Sequence, residues 1–117
     1  MEREVKIETN RRLFFQQYLR IIKPFIKPYL SDGELGVLGE LMYYNDKYKD
    51  LDPEIKKKLL LEYDTKVDIM SNLSISKNTL ANALTKLRKS GHLLDRELAK
   101  SLNVTPGKSL SINFKFD

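Results

Sequence analysis

The chain has 117 residues, 41% apolar and 32% charged, a size and balance that suit one folded domain with its own core and exclude a disordered or low-complexity chain. It has no cysteine, which excludes disulfides and thiolate metal sites. The formal charge of +5 is unevenly spread: residues 1–30 hold seven Lys/Arg against three Asp/Glu, residues 31–68 six against ten, and residues 69–117 eight against three.

In chain order, residues 4–9 (EVKIET) alternate, with Val5 and Ile7 on one side, and predict a short strand. Residues 11–25 predict a helix carrying Leu13, Phe14, Leu19, Ile22 and Phe25, bent or ended by Pro24 and Pro28. Ser31 with Glu34 forms a capping box that opens the next helix. Leu35, Leu38, Leu41 and Met42 make its apolar stripe, and Gly36 and Gly39 within it predict close approach of another element. Residues 43–52 (YYNDKYKDLD) read as a loop or frayed helix end. Pro53 opens a short helix, PEIKKKLLLEY. Asp64 or Thr65 caps the following helix, which holds Val67, Ile69, Met70 and Leu73. Ser76 caps a further helix over 76–90, stopped at Gly91. Leu93 and Leu94 begin a strand, whose register is open, and residues 96–102 are a loop or a helical turn. A Pro-Gly turn lies within NVTPGKS (residues 103–109). Residues 110–116 alternate strictly, with Leu110, Ile112, Phe114 and Phe116 on the inner side. The expected core is Leu38, Leu41, Ile69, Leu73, Ile75, Leu80, Leu84, Leu87, Ile112 and Phe114. The Val5–Ile7 strand is expected to pair with the terminal strand.

The most informative stretch is LSISKNTLANALTKLRKSGHLL, residues 73–94. Leu80, Leu84 and Leu87 share one helix face. Lys77, Asn78, Thr79, Asn82 and Lys86 are small, hydrogen-bonding or cationic groups, the types that read base edges and bind phosphates. No Asp or Glu occurs between Ile69 and Leu94, whereas an ordinary solvated helix usually carries acidic partners one turn from its cations. Arg88 and Lys89 complement the dipole of the last turn, a structural role that accounts for them.

The order helix, helix, turn, helix, strand, loop, strand over residues 31–116 resembles the winged helix-turn-helix family of bacterial and phage DNA-binding proteins. The residues that carry the resemblance are ISKNTLANALTKLRKSGHL, residues 75–93. It implies a mainly α fold with a small β wing, the winged helix-turn-helix at 31–117 and an added N-terminal strand and helix at 1–30, all one compact domain. It also implies that Lys77, Asn78, Thr79 and Asn82 face the major groove, that Lys86 sits beside a phosphate, and that Lys108 in the wing turn reaches the backbone or minor groove. Members are often dimeric transcription regulators, and others serve in replication or in protein–protein contact. Three features depart from the family pattern. Ser74 stands where glycine is usual, an extra helix lies before the turn, and the N-terminal strand and helix fall outside the match.

Catalysis is not expected. His92 is the one histidine and reads as a polar residue at a strand start. TPGKS (residues 105–109) matches only the tail of a phosphate loop, and Asp46, Asp50, Asp52 and Glu54 lack Ca²⁺-loop spacing. No cofactor, metal or small-molecule ligand is expected. Arg11, Arg12, Arg20, Lys23 and Lys27 are candidates for an auxiliary phosphate surface, or for the frame of a homodimer contact on the apolar stripe of the N-terminal helix. Tyr43, Tyr44 and Tyr48 read as the amphipathic edge of the core, or as stacking groups. No run is long enough to cross a membrane, and MEREVKIE is too charged for a signal peptide. The cytoplasm of a bacterium or virus-infected cell is the expected location. Two functions follow. One is a small dimeric regulator that binds double-stranded DNA. The other is a winged-helix interaction or structural module, for instance in a phage particle or replication complex.

Overall fold

The computed structural model describes residues 10–99 and 102. Asn10 caps α1 (Arg11–Ile22) by accepting from the Leu13 amide, and a 3-10 turn, Lys23–Phe25, holds Pro24. Ser31 and Glu34 close the capping box of α2 (Asp32–Lys47), each side chain accepting from the other's backbone N–H. Asp52 caps α3 (Pro53–Leu60). Next come α4 (Tyr63–Leu73) and α5 (Lys77–Lys89), joined by a three-residue turn. β1 (Leu93–Leu94) and β2 (Glu97–Leu98) pair antiparallel, Leu93 against Leu98 and Leu94 against Glu97. Among the described residues the chain is thus mainly helical with a small two-stranded sheet. No helix among them is long and apolar enough to cross a membrane.

Helix α2 is the axis of the packing. It contacts α1, α3, α4, α5 and β2, so it buries residues on nearly every side, from Leu35 through Leu38, Leu41 and Met42 to Tyr44. Phe15 and Leu19 of α1, Leu60 of α3, Ile69 of α4, and Leu80, Leu84 and Leu87 of α5 close around it. Six of the expected core residues are buried: Leu38, Leu41, Ile69, Leu80, Leu84 and Leu87. Leu73 and Ile75 are half-buried against them. Ile112 and Phe114 lie outside the described residues, as do the expected strands at 4–9 and 110–116 and the Pro-Gly turn.

The close approach expected at the α2 glycines is present. A Cβ on Gly39 would stand 2.5 Å from Gln16 Nε2, and that same nitrogen donates to the Gly36 carbonyl at 2.8 Å. At Gly36 a Cβ would meet Leu73 at an ordinary 3.6 Å.

Several expectations need correction. The buried residues of α1 are Phe15 and Leu19, while Leu13 and Phe25 are 52% and 70% exposed. Phe14 and Ile22 are half-buried. Of the two readings of residues 43–52, the helix end holds for residues 43–47, which are the last turns of α2, packed rather than frayed, with Tyr44, Asn45 and Asp46 buried. Helix α3 stops at Leu60, and Tyr63 already belongs to α4. The N-cap of α4 is Glu62, without a side-chain cap bond. Thr65 is buried in the first turn, where its hydroxyl donates to the Leu59 carbonyl at 2.7 Å. Val67 faces outward. The strand that starts at Leu93 turns back at once, over Asp95 and Arg96, onto Glu97–Leu98.

Candidate nucleic-acid interface

The turn before α5 decides how that helix is presented. Ser74 adopts the left-handed conformation, φ 53° and ψ 46°. The Ile75 amide then reaches back to the Met70 carbonyl at 3.0 Å and the Ser74 amide to the Ser71 carbonyl at 3.3 Å, satisfying carbonyls that the end of α4 leaves unpaired. Ser76 opens α5: its Oγ accepts from the Thr79 amide at 3.1 Å and lies 2.9 Å from Thr79 Oγ1. The far end closes on Gly91, φ 80°, with the His92 amide donating to Leu87 and the Gly91 amide to Arg88. Both ends are therefore pinned, and Leu80, Ala83, Leu84 and Leu87 set the azimuth by packing inward.

All of Lys77, Asn78, Thr79, Asn82 and Lys86 are exposed. Successive residues turn about 100° around a helix, so the five do not share a single line. Asn78 and Asn82 lie on the midline of the outward face. Lys86 and Thr79 lie along one flank, and Lys77 along the other with Arg88. Thr79 also spends its hydroxyl on the Ser76 cap. Thr85 and Lys89 fall on the midline with the two asparagines, and Ala81 lies beside them, all exposed. In the sequence Lys89 is accounted for by the dipole of the last turn, and Thr85 and Ala81 carry no signal. The signal that finds them is the spacing from Asn78 to Asn82, Thr85 and Lys89, one outward face on consecutive turns. Lys108 lies outside the described residues.

The cations of α5 differ from those that join α1 and the turn after it to α2. Lys77, Lys86, Arg88 and Lys89 make no ion pair with a described residue. Arg88 instead donates from Nε to the Asp95 carbonyl at 3.2 Å, tying the hairpin turn to the end of α5. The cations of the N-terminal part are engaged otherwise. Arg11 meets Asp46 at 2.8 Å, Arg12 meets Glu40 at 3.0 Å, and Lys23 meets Asp32 at 2.6 Å. Glu40 and Asp46 are buried, so these arginines hold α1 against α2. Burial pushes the Glu40 carboxyl above the ordinary carboxylate range, against the pull of Arg12. Of the expected auxiliary cations, Arg20 and Lys27 remain exposed without an ion pair to a described residue.

The tyrosines are also committed to packing. Tyr44 is buried between Tyr43 and Tyr48, ring centroids 5.2 and 6.1 Å away, and its hydroxyl donates to Asp68 at 3.4 Å. The Arg12 guanidinium lies 5.0 Å from the Tyr43 ring centroid. His92 is half-buried at the head of β1. Comparison with protein-family models, with curated proteins and with solved structures finds no match to this chain.

Proposed function

We propose that the protein binds double-stranded DNA through the outward face of α5 and acts as a small, dimeric transcription regulator of the winged helix-turn-helix kind. The observation that carries this reading is the acid-free face of α5, its cations without carboxylate partners among the described residues. Lys77, Lys86 and Lys89 supply phosphate contacts. Asn78 and Asn82, at the centre, have the side chain that pairs with an adenine edge through two hydrogen bonds. Lys108 contributes from the segment beyond the hairpin. The left-handed turn at Ser74 ends α4 and the Ser76 cap starts α5.

We assign the dimer contact to the exposed apolar residues of α1 and of the segment after it, Leu13, Ile21, Phe25 and Tyr29. The same surface favours a second reading, a winged-helix protein–protein or structural module of a phage particle or replication complex, in which α5 reads no sequence.

A salt series with mixed-sequence duplex separates the two. Phosphate contacts release counterions, so affinity falls as salt rises. Lys86→Ala should weaken all duplexes alike and reduce the salt slope by about one ion. Asn82→Ala should relax preference at one base position by roughly 1–3 kcal/mol. Folded protein that fails to bind duplex at low salt would leave the interaction module as the better account.

A further inference from the structure

A cavity of about 200 Å³ opens where the end of α2, one face of α3 and the β1–β2 hairpin meet. The buried side chains of Leu60 and Leu98 line it below. Four cations, Lys49, Lys56, Lys57 and Arg96, stand around it against one carboxylate, Glu97. Helix α3 is the segment that departs from the family resemblance, and the α5 face does not account for this cluster.

The ion pairs here differ from those under α1. The pairs of α1 and of the turn after it close to between 2.6 and 3.0 Å. At the cavity, Lys49 stands 3.7 Å from Asp46, and Lys57 stands 3.8 Å from Glu54 and 3.6 Å from Glu97, beyond hydrogen-bonding range. Lys56 and Arg96 have no ion pair with a described residue. No cation of the ring donates a charge-assisted hydrogen bond to a carboxylate of a described residue. The nearest buried acid, Asp46, is held by Arg11 through Oδ2, while its Oδ1, the oxygen that faces Lys49, is buried without a hydrogen-bond partner among the described residues. The Lys49 and Lys57 side chains are 39% and 38% exposed. Neither ammonium group donates to a carboxylate within hydrogen-bonding range, so an added oxyanion can take up charge-assisted hydrogen bonds there.

We propose that Lys49, Lys56, Lys57 and Arg96 form a binding site for a phosphate group. The three ammonium groups act as mobile point charges, and the Arg96 guanidinium offers a planar fork matched to two phosphate oxygens. The cavity is smaller than the roughly 300–1,000 Å³ that encloses whole organic ligands, so it takes the phosphate and leaves the rest of the molecule outside. The phosphate belongs either to a nucleic-acid backbone or to a free phosphate ester. The backbone source rests on the DNA-binding reading of α5, to whose last turn the Arg88–Asp95 contact ties the hairpin.

Two titrations of the full chain test this, followed by backbone amide shifts. Inorganic phosphate and a deoxynucleoside monophosphate are each added against sodium chloride of equal ionic strength. Saturable shifts are expected at residues 49, 56, 57 and 96. They should weaken about tenfold in Lys56→Glu/Arg96→Glu, the loss of one or two hydrogen bonds to a charged group. Shifts no larger than those with chloride, or unchanged in the double variant, would overturn the site. The duplex salt series then identifies the source. A slope lowered by about two ions in the double variant assigns the site to the backbone. An unchanged slope, with Lys86→Ala still weakening the duplex, assigns it to a free phosphate ester. If wild type binds no duplex, the reading of α5 fails, and the small-anion titration still decides the cavity. The denaturation midpoint of the double variant checks that its fold is intact.

Discussion

Ser74 occupies a backbone conformation that favours glycine. The left-handed region costs a residue with a Cβ about 1–2 kcal/mol, and the turn into α5 requires it because the Ile75 and Ser74 amides must reach the last carbonyls of α4. Ser74→Gly removes that strain but adds chain entropy to the unfolded state, roughly 0.5–1 kcal/mol. The net expectation is a gain of about 0–1.5 kcal/mol in a urea denaturation. A loss would mean that the serine side chain contributes more than its strain. Glu40 is the second residue with a readable cost. Its carboxyl is held above the ordinary range by burial, with Arg12 only partly compensating. Well below that range it is protonated in both states and indifferent to pH. As pH rises, the unfolded chain ionises first, the folded state lags, and stability falls across the interval between the two. Glu40→Gln should therefore improve relative to wild type from pH 4 to pH 7. Denaturation midpoints that keep a constant difference across that range would show that Arg12 balances the burial.

At the scale of elements, α5 was legible throughout because cap, stripe and stop agreed: Ser76, then Leu80, Leu84 and Leu87, then Gly91. Leu84→Ala should cost about 2–5 kcal/mol, and thermal denaturation gives the check. The end of α2 was not legible. YYNDK reads as a loop or frayed helix end because its polar groups need partners, and those partners are more than twenty residues earlier: Arg11, paired with Asp46, and Arg12, whose guanidinium lies over the Tyr43 ring. Nor was the azimuth of α1. The adjacent apolar residues Leu13, Phe14 and Phe15 leave the inward direction undetermined until α2 chooses Phe15. Asp64 and Thr65 are both good capping types, but the hydroxyl of Thr65 is drawn to the end of α3 instead. The two-residue strands are too short to show alternation. In the candidate site, the spacing of Asn78 and Asn82 is readable in the sequence; Lys89 has a dipole role that accounts for it there, and Thr85 has no chemical signal of its own, so their place on the same midline shows only in the direction each side chain takes from α5. The cavity beside α3 has no local signal, since Lys49, Lys56, Lys57 and Arg96 come together only when the hairpin folds back.

At the scale of the molecule, α2 joins the proposed dimer surface on α1 to the proposed DNA surface on α5, contacting both. The exposed Leu13, Ile21, Phe25 and Tyr29 make the contact apolar, and Arg20 beside them makes it sensitive to a further charge. Sedimentation at micromolar concentration should show a dimer, and Phe25→Asp should give a folded monomer. A monomeric wild type would leave this surface to some other partner.

The way Gln16 is held on α2 has a consequence for the geometry of a target. Its amide nitrogen sits on the Gly36 carbonyl in the space left by the missing Cβ of Gly39, so α1 can neither roll nor slide without breaking that bond. In the proposed dimer through α1, this bond would help hold the two α5 helices at a set separation, like the jaws of a caliper. Such a tool accepts one opening. Half-sites about 10 base pairs apart on one face of the duplex would be gripped together, and one or two inserted base pairs would reduce affinity to that of a single jaw.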